Sequence, residues 1–212
     1  MVLVQKEMQN AYIGEYEFAI KYQEVEWIGW TNWGNSVAQV YIDTWVSINN
    51  NIWASTRMLH TATRNDVQWF SSTNNRSTWN NRWGMTTYPS GNWCPQWVTR
   101  HQTNVSHNID TWYDIKLNWN NNKETQINWI NIYSLWNATF SDTWTIWIWD
   151  ISYNWYGWKC KYFQISDGTT LIRDLVPCYR KSDSVIWMYD LVNNQFYTNA
   201  GTWTLTKWPD VN

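Results

Sequence analysis

The chain has 212 residues, with 15 Lys+Arg against 17 Asp+Glu and a net charge of -2 at neutral pH, a length that suits one domain with a short appendage. That balance argues against a nucleic-acid binder, which needs a basic stripe to neutralise phosphates, and leaves no polybasic run for an anionic membrane surface. No stretch approaches the ~20 apolar residues of a membrane span, and the start, MVLVQKEMQN, lacks the apolar core of a signal peptide.

Residues 1–26 differ from the rest. Five of the six glutamates lie there (Glu7, Glu15, Glu17, Glu24 and Glu26), with Val4, Met8, Ala11 and Tyr12 in near-helical spacing. The pattern predicts a lead-in with one or two helical turns ending near Gly14. It would serve either to attach another protein or as a terminal strand or tail packed on the domain. From Trp27 to Asn212 the pattern is that of short strands, and no window holds a helical period. Residues 49–108, dense in Asn, Ser, Thr and Arg, predict strands around 54–60, 67–71 and 96–99 with long loops between them. YDIKLNW alternates, with Tyr113, Ile115, Leu117 and Trp119 on one face and Asp114, Lys116 and Asn118 on the other. NWINIYSL follows the polar turn 120–125 as the second strand of a hairpin. WTIWIWDISY is a further strand with a break near Asp150. KCKYFQI and TTLIRDLV flank Asp167-Gly168, a dipeptide suited to a type I′ turn. VIWMYDLV and QFYTNA flank Asn193-Asn194. Many short strands at this spacing predict an all-β sandwich of two antiparallel sheets.

Two composition values are abnormal. Tryptophan occurs 22 times and glycine 8 times, when glycine ordinarily makes up about 7% of a chain. Among 26 asparagines there is no Asn-Gly, the favoured hairpin pair. Five Asn-Trp pairs stand instead, at 32–33, 92–93, 118–119, 128–129 and 154–155. Either the protein is truly aromatic-rich, or UGA codons that its source reads as glycine have been translated as tryptophan. The second explanation is the hypothesis adopted for half or more of the positions, with Trp69 and Trp97, in apolar strand-like contexts, taken as genuine. UGG codons at Trp45, Trp187, Trp203 and Trp208 would sink it. The three cysteines, Cys94, Cys160 and Cys178, show no CxxC spacing. They are either buried thiols or, for Cys160 and Cys178, a pair on neighbouring strands.

EWIGWTNWGNSVAQVYIDTWVSINNN resembles the opening of a laminin-G-like, concanavalin A-like jelly roll. The run CKYFQISDGTTLIRDLVPCYRKSDSVIWMYDLVNNQFYTNAGTWTLTKWPD is similar to a recurrent ending of such domains in phage tail and bacterial surface proteins. Where the chain departs from that pattern it repeatedly carries tryptophan for glycine, at Trp45, Trp187, Trp203 and Trp208. The resemblance implies a two-sheet antiparallel jelly-roll sandwich over residues 27–212. For its function it implies recognition or adhesion on a virion or cell surface, with virion proteins or further copies of the chain as partners.

Catalysis is not expected. A glycosidase needs two carboxylates about 5–9.5 Å apart, and after Glu26 the chain has only Glu124 among scattered aspartates. His60, His101 and His107 form no HExxH or metal-spaced cluster, and neither GxSxG nor a P-loop occurs. Carbohydrate is the leading ligand class, because aromatic rings stack on sugar faces while Asn, Asp and Arg bond hydroxyls. Asp66, Trp69, Asn81, Arg82 and Trp83 are the candidate ligand-binding residues in the middle loops, with Trp69 as core and Trp83 as a misread glycine being the bland account of those two. No cofactor is expected. Calcium could bridge loop oxygens, but no clustered Asp motif supports it. The rival class is a structural decoration module without a small-molecule ligand. In the C-terminal run, Arg173 and Asp174 are expected to straddle two faces of a strand, RKSD to form a turn, and Asp190 and Tyr197 to fix the Asn-Asn turn.

Overall fold

The computed structural model describes residues 18–30, 41–61, 68–72, 83–87, 91–97, 99–119, 123–134, 142–148, 158–200, 206–207 and 210. After a helical turn at 18–21, the strands are β1 (Tyr22–Glu24), β2 (Ile28–Trp30), β3 (Ile42–Ile48), β4 (Ile52–His60), β5 (Gln68–Ser71) and β6 (Trp83–Thr87). They continue with β7 (Trp93–Trp97), β8 (Thr99–Arg100), β9 (Trp112–Trp119), β10 (Glu124–Ile127), β11 (Ile130–Ser134) and β12 (Asp142–Ile148). The last are β13 (Trp158–Asp167), β14 (Thr170–Arg180), β15 (Ile186–Asp190), β16 (Gln195–Tyr197) and β17 (Thr206–Lys207).

These strands form two antiparallel sheets packed as a sandwich. The first runs β11-β10-β9-β4-β13-β14-β15-β16, with β1 beside β14 and β2 between β13 and β17. The second runs β3-β12-β5-β6-β7-β8. Rings interlock across the interior: Phe70 meets Phe163 edge-on at 5.2 Å, and Trp93 meets Tyr113 at 5.1 Å, the geometry that aromatic quadrupoles favour. Among the described residues no helix is long and apolar enough to cross a membrane.

Strand alternation sets the two faces. On β9, Tyr113, Ile115 and Leu117 are buried, while Asp114 and Lys116 are partly exposed. Asn118 breaks the pattern: it is buried and has a positive φ of 66°, and its side-chain amide donates to the Ile52 carbonyl. On β5 a register shift between Gln68 and Phe70 turns the adjacent Trp69 and Phe70 both into the core. Gly84 sits opposite Ser71, and a Cβ there would stand 2.2 Å from the Phe70 carbonyl oxygen. Only glycine lets β5 and β6 approach so closely at that point.

Two local expectations change, and the end of the lead-in takes one of the two forms expected for it. NWINIYSL is not one continuous strand: Asn128-Trp129 is a two-residue turn into β11, and the strand before it, β10, begins at Glu124 inside the expected polar turn 120–125. The β13–β14 hairpin forms as expected, yet its central residues are Gly168 and Thr169, and only Gly168 has positive φ. That is the type II′ pattern, not type I′. The end of the lead-in joins the body: Tyr22–Glu24 pairs with Arg180–Cys178 of β14, and Val25 bridges to Asp210. Its expected helical turns before Gly14 lie outside the described residues.

The C-terminal charges hold turns and bridge the sheets. Arg180 grips Asp183 with two nitrogens at 2.5 and 3.0 Å across the RKSD turn. Asp190, fully buried, accepts from the backbone N–H of Asp174 and Val192 and from the Asn193 amide at 2.9, 3.0 and 2.7 Å. Arg173 lies 3.6 Å from the same carboxylate and donates across the interior to the Thr44 carbonyl at 3.1 Å.

Candidate functional site

The outer face of the first sheet carries a compact polar row at its centre. Arg57 on β4 faces Asp114 on β9 and Tyr162 on β13, one on each side. The Arg57 guanidinium lies 3.4 Å from one Asp114 oxygen, and the Tyr162 hydroxyl donates to the other at 3.5 Å. One step along, Ser55 stands between Lys116 and Gln164. Gln164 donates through its amide to Asp174 at 3.1 Å, and Ser55 bonds Tyr162. Two indoles flank the row. Trp53 at one end donates to the Gly168 carbonyl at 2.8 Å. Trp112 at the other lies 5.0 Å beneath the Lys161 ammonium, itself 2.5 Å from Glu26.

A β-bulge creates this arrangement. Cys160 faces the core opposite Met58, so plain alternation would turn Tyr162 inward as well. The register shifts between them, leaving Lys161 as the extra residue and placing Tyr162 opposite the outward Arg57. Bulges re-aim side chains in this way beside functional sites. Burial raises the Tyr162 hydroxyl above its ordinary pKa, against a lowering by its Ser55 bond. Burial also raises the Asp174 carboxyl, partly offset by the Gln164 amide, with the nearby Asp190 charge adding to the rise. Arg57 keeps 44% of its side chain in solvent, and an ion pair so exposed contributes about 0–1 kcal/mol. The pair therefore holds its groups in place without committing them, and both can re-partner with a ligand's hydroxyls.

Two of the residues singled out by sequence, Trp69 and Trp83, fall elsewhere. Trp69 and Trp83 are buried at 2% and 0% between the sheets, where Trp69 packs on Trp93 at 4.9 Å and Trp83 on Phe70 at 5.8 Å. Neither offers a face to a ligand arriving from solvent. Asp66, Asn81 and Arg82 lie outside the described residues. What sequence reasoning missed was Arg57, Tyr162 and Gln164. The only available signal was the outward half of the YDIKLNW alternation, which does put Asp114 and Lys116 on this face.

Among the described residues no group of three or more His, Cys, Asp or Glu could hold a metal ion. The three cysteines are buried and form no disulfide, and burial pushes the Cys160 thiol up to about 12 despite its bonds with Thr56 and the Tyr162 carbonyl. Thiolate is the reactive form, so alkylation at pH 8 is expected to label none of the three in the folded protein and all three after denaturation. Rapid native labelling detected by mass would overturn that placement.

Compared with protein-family models, curated proteins and solved structures, the chain matches none.

Proposed function

We propose that the protein is a non-catalytic recognition module, a laminin-G-like jelly roll that binds carbohydrate through the outer face of its first sheet at a phage or bacterial surface. The observation that carries this reading is the Arg57–Asp114–Tyr162 cluster with Ser55, Gln164 and Asp174 beside it. A guanidinium, carboxylates, an amide and hydroxyls lie within one or two strand spacings of Arg57, between the Trp53 and Trp112 indoles. Such a set can donate to and accept from several sugar hydroxyls while an indole covers the apolar face of the ring. The two-sheet antiparallel sandwich supports the jelly-roll part of the reading.

Carboxylate spacing favours binding over hydrolysis. Asp114 on β9 and Asp174 on β14 are separated by β4 and β13, three strand steps or roughly 14 Å at about 4.8 Å each. Acid and base or nucleophile in a glycosidase stand about 5–9.5 Å apart.

A glycan array with the wild type and with Arg57→Ala and Asp114→Ala tests the proposal. Reproducible sugar hits are expected, weakened at least about tenfold in each variant, since a buried charged hydrogen bond to a ligand is worth ~1.5–3 kcal/mol. Both variants should retain stability within about 1 kcal/mol, because the pair is exposed. An array silent for the wild type, or hits indifferent to both substitutions, would overturn it. Silence together with stable oligomers would move the structural decoration module into first place.

A further inference from the structure

Two tryptophans occupy backbone that L-residues with side chains avoid. Asn128 and Trp129 are the two central residues of the β10–β11 hairpin, with φ of +50° and +69°. Positive φ at both centres is the type I′ turn, whose preferred sequence is Asn-Gly. Trp45 lies within β3 at φ +57°. Left-handed backbone brings a side chain's Cβ against the following carbonyl and is routine only for glycine and, singly, for Asn or Asp. A bulky residue there is a genuine outlier. Packing gives no compensating reason, since Trp45 and Trp129 are 71% and 66% exposed. The Lys116 ammonium 4.6 Å from the Trp129 ring is a surface contact of modest strength. Trp187 shows the contrast, being buried opposite Cys178 without a positive φ.

We propose that Trp45 and Trp129 are glycine in the protein as its source makes it, each encoded by a UGA codon read there as glycine. Asn128-Trp129 is then the Asn-Gly turn that 26 asparagines otherwise never form. Backbone geometry supports the codon hypothesis at these two positions independently of composition and of family resemblance. Trp203 and Trp208 lie outside the described residues. With glycine at 129 the recognition face has no indole at the β10–β11 turn, and its aromatic flanks are Trp53 and Trp112.

Peptide mapping by mass spectrometry of protein purified from its native source decides the matter. Glycine at both positions is the expected result, and tryptophan at either overturns the proposal. A second measurement uses the chain produced with tryptophan throughout. There Trp129→Gly and Trp45→Gly should each raise the folded-to-unfolded ratio roughly 5- to 30-fold, while Trp129→Ala, which still carries a Cβ, should gain much less. Trp69→Gly, which empties a packed core site, should lower the ratio instead. Equal gains for glycine and alanine at 129, or a loss with glycine, would overturn the backbone argument.

Discussion

Asp190→Ala is expected to cost roughly 3–5 kcal/mol of folding stability, the penalty for removing one partner of a buried ion pair. The carboxylate is fully buried and accepts from three donors on Asp174, Val192 and Asn193. Two of them are backbone N–H groups, that of Asp174 on β14 and that of Val192 in the β15–β16 turn. Alanine would remove the Asp190 acceptor of both backbone N–H groups, leave the Asn193 amide only the Ile172 carbonyl, and leave the Arg173 guanidinium with the Thr44 and Ile172 carbonyls in place of the Asp190 carboxylate. Asp190→Asn keeps a carbonyl oxygen as acceptor for one or two donors and should lose distinctly less. Urea unfolding of the three proteins measures this. A loss under about 1 kcal/mol for alanine would mean that the turn is held by its asparagines instead, since Asn194 already takes the left-handed backbone at φ +54°. The effect should be larger than that of any surface pair. Arg180–Asp183, though bidentate, is exposed at both ends, and pairs of that kind are worth little.

Asp190 also marks the boundary between what local chemistry discloses and what it does not. Its role at the Asn-Asn turn follows from the short-range rule that Asp and Asn side chains bond backbone two or three residues on, and the RKSD turn and the Gly168 hairpin follow in the same way. The inward row of β9 is legible because a period of two over seven residues admits one face for the core. The central strand order is not. β4 pairs β9 and β13 from far along the chain, and nothing in the local patterning of IWASTRMLH names either neighbour. The candidate face was hidden for a second reason, the extra residue Lys161, because a bulge inverts the alternation on which a sequence reading depends. The register shift on β5 hid Trp69 similarly: VQWFS alternates as if Trp69 and Phe70 faced opposite ways, yet both enter the core. The five loop residues were chosen on the rule that sites sit on loops, whereas the polar row the fold assembles lies on strands.

The second large effect is on acid stability. His60 is fully buried at the end of β4, 6.0 Å from the Trp69 ring and 5.9 Å from the His107 ring. Burial, reinforced by the neighbouring His107 charge, lowers its pKa from 6.5 to about 4. Above pH 6.5 the ring is neutral folded and unfolded, so it has no effect on the pH dependence. As pH falls from 6.5 to 4 the unfolded chain takes up a proton that the folded protein refuses, and stability falls by up to ~1.4 kcal/mol per unit. Below pH 4 both states are protonated and the loss is complete, at about 3 kcal/mol in all. Two carboxyls work against it. Burial raises those of Glu24 and Asp174, so their protonation relieves a cost as the medium turns acid. Among the described residues His107 is the titratable neighbour of the ring, and it bonds the Gly91 carbonyl at 2.8 Å. Urea midpoints measured from pH 7.5 to 3.5 should therefore fall most steeply between 6.5 and 4 in the wild type. In His60→Gln, whatever its absolute stability, that segment should flatten by the His60 share. Parallel profiles for the two proteins would place the acid sensitivity on other groups, and a wild type stable and level to pH 4 would mean that His60 accepts its proton in the folded state.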